Sequence, residues 1–79
     1  MKQFAIIRER GVTFAIVVVK AYVIQNTIQA QNARAAFERE YGCSVVLWGD
    51  DNRYRYGDPN LVNFLRNVTA DRIPWRRAA

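Results

Sequence analysis

The chain has 79 residues, one domain's worth, and a domain of that size buries only about 60 to 65% of the surface its unfolded form exposes. With 51% hydrophobic and 24% charged residues it is not a disordered chain, and it carries more apolar residues than so thin a core needs, as a chain with an apolar interface would. Twelve Lys and Arg against seven Asp and Glu give a net charge of +5, which favours an anionic partner, while the absence of histidine and the single cysteine exclude a histidine-based triad, an internal disulfide and a cysteine-built zinc site.

Gln3 to Ile7 reads as a first strand, turned by Glu9, Arg10 and Gly11 into the central one. Its apolar run is short and is followed by the charged residues Arg8, Glu9 and Arg10, so no signal peptide is expected. The central strand lies within Val12 to Ile24, VTFAIVVVKAYVI, where both alternating sets of side chains are apolar, the mark of a strand covered on both faces. A three-residue loop with Gly11 in the left-handed conformation predicts Ile6 opposite Phe14 and Phe4 opposite Ile16. That register collects the large side chains on one face and leaves Ala5, Ile7, Thr13, Ala15, Val17 and Val19 as a smooth second face.

Asn26 or Thr27 offers an oxygen to cap a helix that runs to about Tyr41, with Ala30, Ala33, Phe37 and Tyr41 on its inner stripe and Gly42 as its left-handed stop. Ser44 to Trp48 is a second buried strand. The connection from the central strand is long enough to be a crossover, so the two are expected to lie parallel. Gly49 to Asn52 is a turn, after which Arg53 to Tyr56 returns as an antiparallel edge strand with Tyr54 and Tyr56 on one face and Arg53 and Arg55 on the other. Asp58 and Pro59 start a second helix whose buried stripe is Leu61, Leu65 and Val68, with Phe64 alongside and Arg66 and Asn67 facing water. Beyond residue 70 the sequence is DRIPWRRAA, and Asp71 to Arg77 has no period, but Ile73 and Trp75 are costly to leave in water and are expected to fold back as an anchor for a basic tail.

These elements predict an α+β domain over residues 1–70, a two-layer ββαββα arrangement with a four-stranded, mostly antiparallel or mixed sheet and two helices on one face, followed by the tail at 71–79. The order strand, helix, strand, strand, helix from Phe14 to Leu65 is similar to that of the second half of thioredoxin-like domains, in element order alone. The CxxC motif is absent, and no activity follows from the likeness.

Two short helices suffice for one face of such a sheet, so the smooth face is expected to be bare and to self-associate through Ala5, Thr13, Ala15, Val17 and Val19, giving a homodimer. Arg53, Arg55, Arg72, Trp75, Arg76 and Arg77 are the candidates for binding an anionic partner. Asp50 and Asp51 are explained by turn chemistry, and Cys43, which follows a helix C-terminus, is expected to be a small buried hydrophobe rather than a reactive thiol. No catalytic, metal or cofactor site is expected. The predicted function is a small non-enzymatic protein-interaction or adaptor module that self-associates through its apolar sheet face and offers its arginines to an acidic protein partner; the alternative is a nucleic-acid binder using the arginine-rich face and tail. A single cysteine and the lack of any run near 18 apolar residues predict a cytoplasmic protein with no membrane span.

Overall fold

The computed structural model describes residues 2–9 and 11–78. Its class is α+β with a mixed sheet. In chain order the elements are strands β1 (Lys2–Glu9) and β2 (Val12–Val19), helices α1 (Ala21–Gln25) and α2 (Thr27–Tyr41), strands β3 (Ser44–Gly49) and β4 (Arg55–Tyr56), helix α3 (Pro59–Leu65), a 3-10 turn (Ala70–Arg72) and strand β5 (Arg76–Ala78). Strand order is β4-β3-β2-β1-β5. β2 runs parallel to β3 across the helical crossover, and the other neighbours are antiparallel.

The helix boundaries follow the local signals. The Asn26 side chain accepts the Gln29 backbone N–H at 3.1 Å and so caps α2, and Gly42 ends that helix with φ 71° while its N–H donates to Glu38 O. Asp58 accepts the Asn60 N–H at 2.8 Å, with Pro59 in the first turn of α3. Lys20 does not continue the central strand; the chain turns there into the short α1.

Three expectations are corrected. First, the β1–β2 register differs by one residue. Glu9 pairs with Val12, so Ile6 lies opposite Ala15 and Phe4 opposite Val17, with Gly11 at φ 79° in the tight turn. A one-residue slip moves a strand's side chains to the other face, and Ala5 therefore joins Phe14 and Ile16 rather than Ala15.

Second, the two helices cover opposite faces. α2 packs Ala30, Ala33, Phe37 and Tyr41 over Ala15, Val17, Val45 and Leu47, whereas α3 places Leu61, Val62 and Leu65 with Phe14, Ile16, Val46 and Trp48. The smooth face is thus the floor of a core. Ala5, Ala15 and Val17 are fully buried within the single chain, Val19 is half-buried, and only Thr13 of the five proposed self-association residues is exposed.

Third, the segment expected to be a tail completes the sheet and roofs the face that α3 alone would leave thin. Val68, Ala70, Ile73 and Trp75 cross that face, and Arg76 to Ala78 pair with β1 as a fifth strand. The aperiodic sequence is physically consistent with this role, because a segment lying across strands touches the core at irregular intervals.

β4 begins at Arg55, two residues later than predicted, and the edge of β3 beyond its end at Tyr56 is satisfied by α2. Glu38 Oε2 accepts the Val45 N–H at 3.3 Å, while Arg34 Nε donates to Val45 O at 3.2 Å and lies 3.4 Å from the Glu38 carboxylate. These side chains stand in for a missing strand. Gly57 lets the chain leave β4 in contact with β3, since a Cβ there would come within 3.1 Å of Val45 O and Val46 Cα.

Candidate functional site

The turn between β3 and β4 is built by its own polar side chains. Gly49 N–H donates to Tyr54 O at 2.9 Å, Asp51 Oδ1 accepts the Arg53 N–H at 3.0 Å, and Asn52, at φ 62°, accepts the Trp48 indole N–H at 2.8 Å. Asp50 links the ends of the two parallel strands, accepting the Ala21 N–H at 3.1 Å and standing 3.5 Å from Lys20 Nζ. Both aspartates are thereby occupied in holding the backbone, and among the described residues no group of three His, Cys, Asp or Glu could hold a metal ion. Cys43 is half-buried. Burial first, and the neighbouring Glu38 carboxylate second, push its thiol above the ordinary value of 9.0, which favours the protonated form.

This turn delivers Arg55 opposite Trp48, the largest fully buried side chain. The guanidinium carbon lies 3.3 Å from the ring centroid, a cation–π contact worth about 1–2 kcal/mol when partly desolvated. Trp48 meets Trp75 edge to face at 5.7 Å, and the Trp75 indole N–H donates to Ala70 O at 2.8 Å. Arg55, Trp48 and Trp75 thus form a continuous stack on the α3 face. One Arg55 nitrogen, Nη1, donates to Tyr54 O at 3.3 Å, but its Nε is buried with no partner. Burial lowers the Arg55 pKa and Asp51 works in the opposite sense; the guanidinium stays charged at neutral pH because its ordinary value lies so far above 7.

Beside this stack, between β4 and α3, lies a cleft of about 400 Å³ lined by Arg53, Tyr54, Arg55, Val62 and Arg66. A second depression of about 490 Å³ shares Arg55, Val62 and Arg66 and extends past Gly57 to Asn60 and Asn63. No carboxylate lines either one. Among the described residues, none of the three arginines has an acidic group within ion-pair distance. The concave surface is therefore cationic, with Asp51 acting on Arg55 from outside ion-pair contact and an exposed tyrosine at its margin.

The structure divides the six residues proposed for an anionic partner. Arg53 and Arg55 share the cleft, and Trp75 supports it from behind through Trp48. Arg72 is exposed on the 3-10 turn. Arg76 and Arg77 lie in β5, opposite Phe4 and Gln3, at the far edge of the sheet. Four strand spacings, roughly 19 Å, separate that edge from β4, so these arginines do not belong to the same site. Arg66 was expected only to face water. Its spacing of four from Val62 was the available signal, since residues four apart share a helix face and Val62 is the cleft's apolar wall.

A separate apolar hollow of about 270 Å³ lies at the hairpin end, lined by Glu9, Val12, Phe14, Leu61 and Phe64. No helix among the described residues is long and apolar enough to cross a membrane. Comparison with protein-family models, with curated proteins and with solved structures gave no match to the chain in any of the three.

Proposed function

We propose that the chain is a non-enzymatic interaction module that binds an acidic protein partner through Arg53, Arg55 and Arg66. The observation that carries this reading is the cleft lined by three arginines and, among the described residues, no carboxylate, with none of the three in ion-pair contact with an acidic group. Cationic surface of this kind is ordinarily interleaved with acidic side chains that neutralise it; here the neutralising groups are left to a ligand. Arginine suits the task because its planar fork donates two parallel hydrogen bonds to a carboxylate. The homodimer expected from a bare sheet face loses its basis, since that face is covered by α2.

A nucleic-acid partner is the second reading, favoured by the exposure of Tyr54 beside the arginines, where a base could stack. Titration of the chain with polyglutamate and with a mixed-sequence oligonucleotide, followed by tryptophan fluorescence, separates the two. Arg53 and Arg66 are exposed and can be replaced without disturbing the core. The Arg53→Gln, Arg66→Gln double variant is expected to weaken polyglutamate binding by about tenfold or more, with the parent interaction falling as salt is raised. Equal binding by parent and double variant would move the site away from this cleft. Preference for the oligonucleotide would favour the second reading.

A further inference from the structure

Resting on the reading of this cleft as the seat of an acidic protein partner, we propose that the partner docks as an extended segment, adding a strand outside β4 with alternate carboxylates turned toward Arg53, Arg55 and Arg66. The phase of the ladder supports this mode. Gly49 N–H donates to Tyr54 O, and Leu47 is paired with Tyr56, so these are the hydrogen-bonded positions of the β3–β4 ladder. Hydrogen-bonded and non-bonded pairs alternate in an antiparallel ladder, which makes Trp48 and Arg55 a non-bonded pair and turns the Arg55 backbone N–H and C=O outward. β4 is the terminal strand, so those two groups face the open side of the sheet. At Val45 the equivalent outward groups of β3 are taken by Glu38 and Arg34; at Arg55 no side chain among the described residues plays that part.

Side-chain direction matches the charge. A strand laid beside β4 turns every second side chain to the α3 face, where the cleft opens. Period-two carboxylates would meet the three guanidiniums, while the strand's backbone takes the Arg55 N–H and C=O. Charged residues on a short edge strand commonly serve to repel other strands. The same charges repel a basic strand, must be desolvated unpaired beside a neutral one and admit an acidic one, so protection and selectivity come from one device. Arg55 fits this second role in particular, because its guanidinium lies along Trp48 with Nε buried rather than projecting from the edge. A nucleic acid has no amide ladder with which to use the Arg55 backbone.

The test uses the full chain and a peptide of about eight residues of alternating glutamate and threonine, close to the length of a strand. Two further versions carry N-methyl groups on alternate amides, one version for each edge of the extended peptide, and an oligonucleotide of similar charge is the fourth probe. Binding is read from tryptophan fluorescence and from hydrogen exchange at the Arg55 amide. The parent peptide is expected to bind and to slow Arg55 exchange. One methylated version should lose about tenfold or more in affinity and the other should match the parent, since only one peptide edge meets β4. Equal binding by both methylated versions, or Arg55 exchange unchanged in the complex, would overturn strand addition and leave the acidic-partner reading standing. Failure of every peptide to bind, with or without oligonucleotide binding, would overturn that reading and the strand mode with it.

Discussion

Val17 shows how much a single position depends on what lies above it. It is fully buried between the central strands and α2, in the cluster formed with Ala15, Ala30, Val45 and Leu47. An aspartate there would place a carboxylate in an apolar layer, at a cost on the order of 4 kcal/mol or more. Val17→Asp is therefore expected to abolish the cooperative thermal transition seen by circular dichroism. A variant that melts at the parent temperature would mean that α2 does not seal this face. The alternation of apolar side chains on β2 was readable from the sequence, and so was the need for cover on both sides. Which cover each side receives was not, because alternation assigns residues to faces without saying what approaches them.

Among the elements, α2 does two jobs at once. Its small inner residues let it sit close to the sheet, and its Arg34 and Glu38 reach over to satisfy Val45 where β4 falls short. Glu38→Ala removes the acceptor of the Val45 N–H and the ion-pair partner of Arg34. Because the groups are only partly buried, the expected loss is about 1–2 kcal/mol in urea unfolding. Adding Arg34→Ala should cost less than the sum of the single changes, since both act at one backbone site. Strict additivity in that cycle would show that the two side chains act independently. The caps of α2 and α3 were legible because each depends on a few neighbouring residues: Asn26, Gly42, Asp58 and Pro59 all act where their sequence signals predict. The length of β4 was not legible. The strand ends before Gly57, as the sequence signal predicts, but begins two residues late, because Asp51 holds the Arg53 N–H and so extends the turn as far as Tyr54.

Across the whole molecule, the C-terminal segment decides the architecture. It crosses the α3 face, buries Ile73, places Trp75 against Trp48 and ends as an edge strand on β1. Deletion of residues 75–79 removes the Trp75 contact and the β5 pairing together. The expected cost is about 3 kcal/mol, read as a lower urea midpoint, with Trp48 emission shifted to the red as water reaches its ring. An unchanged midpoint would show that β5 is ornamental to stability. This segment also supports the cleft, since Trp75 backs the ring on which Arg55 lies.

Local chemistry, acting over a few residues, determined strands β1 to β4 and helices α2 and α3 of this protein, its helix caps and the α+β class. It also put Arg55 on an edge strand, with Arg53 in the turn before it. Tertiary structure alone decided the one-residue register of β1, the distribution of the helices over both faces, the recruitment of the tail as a fifth strand and the meeting of Arg66 with Arg53 and Arg55. Each of these depends on contacts between distant segments competing to bury the same apolar surface, and that competition is settled only when the whole chain is packed.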